Sequence, residues 1–442
     1  MRVAIIGTGH VGLVTGVCFA DVGHEVICQD VDRHKIQMLD QGRLPFLEPQ
    51  LDVLFEAYRS RLRFTGSLRE CVAEAEVLFV CVGTPPGTRG ESNLKYVEKV
   101  ARELADLLQP GQYRLIVDKS TVPVKTAERV ERTMRLYAPA EASFGVASNP
   151  EFLREGAAVA DTLKPDRIVV GTSSTRDRDL LREVYRPFTT QGYPLIETNV
   201  RSAELIKHVA NSFLAMKLSF VNLVARICDA TEASVDEVLH GIGFDVRIGT
   251  AFLRPGIGYG GSCFPKDVPA FAHIAGELGI DASLLWAVHD LNLEQPGWFV
   301  QRMQDALWTL ADKRIAVWGL AFKHDTDDVR ESPAIKVVRL LLDAGAHVVA
   351  TDPVAIDRAK DVLSDDSGVL PAQLEFQHDP LICCEDAEAL VVATEWPHFR
   401  SLSPDEALQR MRLPLVFDGK NTLDPATWRA AGARYIGVGR PE

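Results

Sequence analysis

The sequence predicts an α/β chain in which two doubly wound domains are joined by a long central helix and a helical middle domain. Three observations point to it. Short β-rich runs alternate with amphipathic stretches over residues 1–200, and the same alternation returns over 301–442. Between them, residues 202 to about 231 hold neither Gly nor Pro and are rich in Ala, Leu, Val and Phe. At roughly 100–200 residues per domain, a chain of 442 residues suits two or three such units.

In the first region the strand candidates are 3–6, 25–29, 77–82, 115–118, 144–147 and 168–170. Strands alternating with helices imply a mostly parallel sheet covered on both faces. The Gly- and Pro-free segment reads as one long helix. It is apolar on most faces (Phe213, Leu214, Met216, Leu218, Phe220, Val221), so it is expected to be buried between domains or subunits. A glycine-rich loop at 256–261 and further helices follow. The last region carries strand candidates at 315–318, 347–350, 389–393 and 415–417. The expected division is 1–200, 201–300 and 301–442.

Composition excludes several classes. With 46% hydrophobic residues the chain has ample material for more than one core, which argues against disorder. The 48 Lys and Arg against 61 Asp and Glu give a net charge of −13, a poor match for nucleic acid or for anionic lipid. No run approaches the roughly 18 apolar residues of a membrane span, and the start of the chain does not read as a signal peptide. Eight scattered cysteines without a CxxC suit a reducing cytoplasm. No metal site is expected.

Gly7, Gly9 and Gly12 form GxGxxG directly after the first strand and before a helical pattern. The first glycine permits the tight turn, the second lets backbone approach a pyrophosphate, and the third lets helix pack on strand. The helix N-terminus supplies amides and a positive dipole end. Asp30 closes the next strand, where a carboxylate can bind ribose hydroxyls; it favours NAD over NADP, with Arg33 nearby. Together these features make the domain Rossmann-like. Three polar loops share the same sheet edge: 83–86 with Thr84, 119–123 with Thr121, and 149–151 with Glu151. Turn chemistry alone accounts for any one of them; their coincidence points to a shared site.

The segment 256–267 (GIGYGGSCFPKD) places Cys263 after four glycines in six residues and at the start of a helical pattern. A helix N-terminus lowers a thiol pKa, and Lys266 is placed to help. Asp267 follows one turn later on the same face. The other cysteines lie in apolar patterns or beside each other, and read as structural.

Lys207, Asn211, Leu214, Leu218 and Val221 share one face of the long helix. The face is apolar further along, so Lys207 and Asn211 are expected to point inward, a cation and an amide suited to a developing oxyanion. The other option is a lysine snorkelling to solvent. In the last region, strand 315–318 runs into Lys323 and the acidic stretch 325–331. Lys323 suits a nucleotide diphosphate there, or belongs to a solvated charge cluster; spacing does not decide.

A dinucleotide site plus a reactive thiol suggests oxidation through an aldehyde. The thiolate adds to give a thiohemiacetal, loss of hydride gives a thioester, and water releases an acid.

On these residues the chain resembles the UDP-glucose/GDP-mannose dehydrogenase family over nearly its whole length. The resemblance rests on Gly7–Gly12 with Asp30, on 120–124 (STVPV), on 149–156 (NPEFLREG), on Lys207 with Asn211, on the Cys263 segment, and on 321–323 with 330–333. It implies oxidation of the C6 hydroxymethyl of a nucleotide sugar to a carboxylate with two NAD⁺ reduced. It implies that Cys263 is the nucleophile, that Lys207 and Asn211 stabilise oxyanions, and that Asp267 assists proton transfer through water. Glu151 then activates the hydrolytic water and Thr121 helps position it.

For the cofactor the resemblance implies Gly7, Gly9, His10, Val11, Gly12, Asp30, Lys35, Thr84, Thr121, Glu155 and Arg330. For the substrate it implies Glu151, Phe152, Leu153, Lys207, Asn211, Phe252, Leu253, Arg254, Gly260, Phe264, Lys323 and Lys420, with Arg247 reaching across a dimer. The long helix is then the central helix of a homodimer or larger homo-oligomer.

Three positions depart from the family pattern. His10 stands where Tyr is usual, Lys125 replaces a common Gly, and Lys420 stands where Arg is usual, keeping the charge without the bidentate fork. Glu155-Gly156 and 252–254 look more like the UDP-glucose branch than the GDP-mannose branch. The rivals are oxidation of GDP-mannose or another nucleotide sugar, a two-electron dehydrogenase that stops at aldehyde or ketone, and a non-catalytic nucleotide or NAD sensor.

Overall fold

The computed structural model describes residues 1–87 and 90–441, so the last position of the expected 301–442 region lies outside the described residues. The chain divides into two compact units, 1–210 with 273–281 and 211–272 with 282–442.

The first unit is built on an eight-stranded sheet: β1 (Arg2–Ile6), β2 (Glu25–Gln29), β3 (Leu62–Thr65), β4 (Val77–Val80), β5 (Tyr113–Asp118), β6 (Ser143–Ser148), β7 (Ile168–Gly171) and β8 (Leu195–Thr198). The spatial order is β3-β2-β1-β4-β5-β6-β7-β8. All pairings are parallel except β6 with β7. The order reverses beside β1, and this switch point is where an open α/β sheet leaves a crevice at its carboxyl edge. Strand β1 is buried from Val3 to Ile6 and β4 throughout, which is why they read as continuous apolar runs.

The second unit carries a six-stranded, wholly parallel sheet. Its strands are β9 (Arg314–Trp318), β10 (His347–Thr351), β11 (Leu374–Phe376), β12 (Ala389–Val392), β13 (Leu415–Asp418) and β14 (Arg434–Gly437). The order β11-β10-β9-β12-β13-β14 repeats the doubly wound pattern. Its core includes Trp318, which stacks on Phe399 with centroids 5.3 Å apart.

Five helices carry or support the candidate residues: α1 (His10–Asp21), α2 (Thr126–Tyr137), α3 (Val200–Thr231), α4 (Phe264–Glu277) and α5 (Ser283–Leu307). Helix α3 has 32 residues and runs without a break, as its composition demands. On this chain its residues divide between a buried and an exposed face. Ala203, Ala215, Val221 and Ala225 are fully buried, but Leu205, Val209, Phe213, Phe220, Leu223 and Ile227 are exposed on this chain. The buried face instead carries polar side chains: Glu204, Lys207, His208, Asn211, Ser212, Ser219 and Asn222. Burying polar groups is unfavourable unless each finds a partner. His208 Nε2 donates to the Val122 carbonyl at 2.8 Å, Ser219 Oγ to the Val288 carbonyl at 2.8 Å, and Asn222 Oδ1 accepts from the Gly256 amide at 2.8 Å. Among the described residues no helix is long and apolar enough to cross a membrane.

Candidate active site

The cofactor loop sits between β1 and α1. Gly7 has φ +98°, and a Cβ there meets the Cys81 carbonyl oxygen at 2.7 Å. A Cβ on Gly12 falls 1.9 Å from the Gly7 carbonyl oxygen. Both positions exclude side chains for reasons internal to the fold. Gly9 is different: a Cβ there touches nothing within 4 Å, and Gly9 caps α1 without any side-chain hydrogen bond. The backbone at Gly9, where α1 begins, is thus open to close approach, as a pyrophosphate at a helix N-terminus requires.

Asp30, just beyond β2, accepts from the Thr8 amide (2.9 Å), the Thr8 hydroxyl (2.8 Å) and Lys35 Nζ (3.0 Å) on Oδ2, and from the Asp32 amide (3.0 Å) on Oδ1. Burial pushes its pKa up, but the Asp32 and Thr8 amides, with Lys35 and the Thr8 hydroxyl, outweigh it and hold the carboxyl below the usual range. Oδ1 keeps acceptor capacity for a ribose hydroxyl, so the residues fit a dinucleotide. Lys35 is therefore placed with Asp30.

His10 Nε2 lies 2.9 Å from Glu48 Oε2, and its ring packs against Phe46 with centroids 4.6 Å apart. Glu48 also accepts from the Gly156 and Ala158 amides, each at 2.8 Å, which ties the cofactor loop to the turn after Glu155. Nothing in the sequence pattern singled out Glu48; a buried carboxylate capping distant backbone leaves no periodic signature.

The polar loops converge as expected within this unit. Thr84 Oγ1 donates to the Thr121 carbonyl at 2.9 Å. Ser120 Oγ donates to the Val82 carbonyl at 2.6 Å. Lys207 Nζ lies 2.9 Å from Glu151 Oε1, with both side chains almost fully buried. Glu151 Oε2 accepts from the Leu153 amide at 2.5 Å. Lys207 and Arg167 both lie over the Phe152 ring, at 5.5 and 3.7 Å from its centroid. Lys207 therefore points inward, not to solvent.

Lys125 has φ +75°, the left-handed conformation that a glycine adopts without strain. Its amide donates to Glu204 Oε2 at 2.7 Å, and the Ala127 amide donates to Oε1 at 2.8 Å. Glu204 thus satisfies the start of α2 in place of a local cap.

In the second unit the glycine loop is pressed against the polypeptide that follows β9 and β13. The Gly261 amide donates to the Arg330 carbonyl at 2.9 Å, and the Ile257 amide to the Gly419 carbonyl at 2.9 Å. A Cβ on Gly260 meets the Glu331 carbonyl oxygen at 2.4 Å, and one on Gly261 meets the Phe322 ring at 2.8 Å. The loop that leads into Cys263 is thereby brought beside 322, 330–331 and 419–420, residues that sequence spacing could not join.

Cys263 is half-buried and immediately precedes α4; its carbonyl accepts from the Asp267 amide at 2.8 Å. Its Sγ lies 3.7 Å from Ser262 Oγ. Asp267 is fully buried and accepts from Asn211 Nδ2 at 2.6 Å on Oδ2. Lys266, expected to support a thiolate, is engaged with Asp267 Oδ1. Desolvation raises the Cys18, Cys71 and Cys81 thiols to about 12, in keeping with structural roles.

The remaining substrate candidates separate. Phe264 packs with Phe252, centroids 6.3 Å apart. Phe252 itself has φ +63°, while Leu253 is half-buried and Arg254 exposed. Lys323 Nζ lies over the Phe322 ring, and Lys420 Nζ lies 3.5 Å from Glu395 Oε2 and from the Phe322 carbonyl. Arg330 folds back on Asp328. Arg247 is exposed and paired with Asp245, two residues away. Within its own chain it reaches no site residue described above.

Comparison with known proteins agrees with this geometry. Residues 1–189 match the NAD binding domain of the UDP-glucose/GDP-mannose dehydrogenase family, 201–294 its central domain, and 316–425 its UDP binding domain. A UDP-glucose 6-dehydrogenase of Rhizobium meliloti is 44% identical over 450 residues, spanning all of both chains. One from Bacillus subtilis is 40% identical over all of this chain and 93% of its own. The structure of a UDP-glucose dehydrogenase from the archaeon Pyrobaculum islandicum superposes with a TM-score of 0.90 at 37% identity, covering 99% of this chain and 98% of that one. With the GxGxxG fingerprint, the cysteine turn and these full-length similarities in agreement, the chain belongs to the UDP-glucose/GDP-mannose dehydrogenase family.

Proposed function

We propose that the chain is an NAD-dependent UDP-glucose 6-dehydrogenase, oxidising the C6 hydroxymethyl of UDP-glucose to the carboxylate of UDP-glucuronate. The observation that carries this reading is the helix-entry Cys263 with buried Asp267 one turn on, itself bonded to Asn211. Relatives at 40–44% identity that bear the same activity in their names support the sugar.

Gly7, Gly9, Val11, Gly12 and the α1 amides hold the pyrophosphate of NAD, with Asp30 and Lys35 at the ribose and Thr84, Thr121 and Glu155 toward the nicotinamide. When bound, NAD⁺ supplies a hydride acceptor. Asp267, through water, takes the proton of the C6 hydroxyl as the first hydride leaves. The Cys263 thiolate then adds to the aldehyde, and Lys207 and Asn211 stabilise the oxyanion. Loss of the second hydride leaves a thioester on Cys263. Glu151 takes a proton from water, which attacks the thioester carbon, and Thr121 orients that water. Phe252, Leu253, Arg254, Gly260, Phe264, Lys323 and Lys420 bind the sugar nucleotide. Regions 1–200, 201–300 and 301–442 hold cofactor, cysteine and UDP-sugar respectively.

The exposed residues Val209, Phe213, Phe220, Leu223 and Ile227, with half-buried Met216, repeat in a 4-3-4-3-4 spacing along α3. This is a coiled-coil seam, and we assign it to a second copy of the chain. Arg247 is then free to reach the partner's substrate. All eight cysteines are free thiols, which supports a cytoplasmic location.

The test is to supply excess NAD⁺ with limiting UDP-glucose, and GDP-mannose in parallel, and count NADH per sugar. Two per UDP-glucose is expected. One per sugar removes the thioester role of Cys263; two with GDP-mannose alone moves the chain to the sister branch. No NADH with either leaves the sensor reading.

A further inference from the structure

Lys119 follows the last residue of β5, and its ammonium is buried with the whole residue 7% exposed. Buried lysines are rare without a counter-charge. The ammonium meets an amide oxygen: Lys119 Nζ donates to Asn149 Oδ1 at 3.0 Å. The same oxygen accepts the Tyr185 hydroxyl, while Asn149 Nδ2 donates to the Val169 carbonyl at 2.8 Å. Asn149 is thus fixed on β7 and the helix bearing Tyr185, and a neutral donor could complete that frame. The ammonium adds something else. Burial lowers the Lys119 pKa from its ordinary value and Lys207 adds to this, while the charge of Glu151, two residues beyond Asn149, favours the cation. Two cations and one carboxylate therefore share a dry cluster, with Lys207 in direct contact with Glu151.

We propose that Lys119 is a positioning residue of the reaction, a standing cation behind Glu151 that remains when Lys207 turns to the substrate oxyanion. This rests on the reading of Glu151 as the hydrolytic base. In that step the water oxygen bonds to the thioester carbon while one water proton passes to Glu151. The C–S bond then breaks, the acid leaves, and the sulfur takes the proton back as the Cys263 thiol. Lys207 cannot neutralise both the tetrahedral oxyanion and Glu151. Lys119 stabilises the carboxylate through the interval and, by holding Asn149, keeps the 149–151 turn in register.

The test uses the full chain with NAD⁺ and UDP-glucose, comparing wild type with Glu151→Gln, Lys119→Met, Lys119→Gln and Lys119→Arg. Intact-protein mass reads the thioester on Cys263, and steady-state kinetics read kcat and KM. Lys119→Met and Lys119→Gln are expected to lower kcat at least tenfold with KM for UDP-glucose within about twofold, and to accumulate the adduct; Lys119→Arg restores most turnover. If Lys119→Met does not fold, Lys119→Gln decides, because it keeps a donor for Asn149. Adduct in Glu151→Gln but none in the neutral Lys119 variants overturns the proposal and leaves the Glu151 reading standing. No adduct in Glu151→Gln removes that reading and the proposal with it. Folding only with Arg at 119 reduces Lys119 to a structural part and also overturns the proposal.

Discussion

Lys207 Nζ and Glu151 Oε1 lie 2.9 Å apart with side chains 3% and 5% exposed, so each is the other's counter-charge in a dry environment. Removing one partner leaves the other charge buried, a loss of about 3–5 kcal/mol for such pairs. Lys207→Met is expected to lower stability on that scale in a urea melt. Breaking the exposed pair Lys99–Glu103 should change it by no more than about 0.5 kcal/mol. Equal, small effects would show that the Lys207 pair is solvated.

Gly9 and Gly12 should separate folding from binding. Gly9→Ala has room for its methyl and is expected to melt like wild type while weakening NAD at least several-fold. Gly12→Ala drives a methyl into the Gly7 carbonyl and should lower the melting temperature markedly. Calorimetry and NAD titration on both variants check the pair; normal NAD affinity in Gly9→Ala would remove the pyrophosphate cradle.

Asp118 is fully buried with neither carboxyl oxygen bonded, and burial with the nearby Glu204 charge raises its pKa to about 7. Glu204 is likewise raised to about 7, by burial, against the Ala127 and Lys125 amides that lower it. An acid whose folded pKa exceeds its unfolded value binds protons more tightly when folded. Its contribution is therefore full below about pH 4 and lost as pH rises through about 7. Asp118→Asn should shrink the stability loss between pH 5 and pH 8, and melts at both values check this. An unchanged loss would mean that Asp118 is ionised throughout.

Lys125 holds a left-handed backbone, which strains a residue with a Cβ by about 1–3 kcal/mol. Lys125→Gly relieves that strain but adds unfolded-state entropy of about 0.4–1 kcal/mol. The expected outcome is a stability equal to or up to about 2.5 kcal/mol above wild type, with α2 unaltered. A clear loss would show that the lysine side chain contributes a contact of its own.

The seam on α3 predicts an oligomer. Phe213→Glu with Phe220→Glu places two charges at stripe positions that are each more than half exposed in the single chain. Sedimentation should show a dimer for wild type and a smaller species for the double variant, with the secondary structure retained. A monomeric wild type would remove the seam and the role given to Arg247.

The sequence by itself determined the doubly wound class, the uninterrupted α3, and the residue types of the chemistry. Central strands such as β1, β4, β9 and β12 are buried on both faces and so appear as unbroken apolar runs. The GxGxxG turn and the cysteine turn were legible because unusual backbone angles force glycine into the sequence itself. Four strands went unannounced: β3, β8, β11 and β14, the two edges of each sheet. Each has only three or four residues and carries a charged side chain (Arg63, Glu197, Glu375, Arg434), because an edge faces solvent and needs no apolar run. The helix periodicity placed Lys207 and Asn211 on the inward face of α3, and tertiary structure alone supplied their partners. Glu151, Asp267 and the backbone amides that satisfy the inward polar residues come from distant segments. The same non-local pairing hid Glu48, Glu204 and Lys119. A buried charge is recognisable only with its partner, and no spacing along the chain encodes a partner 30 to 110 residues away.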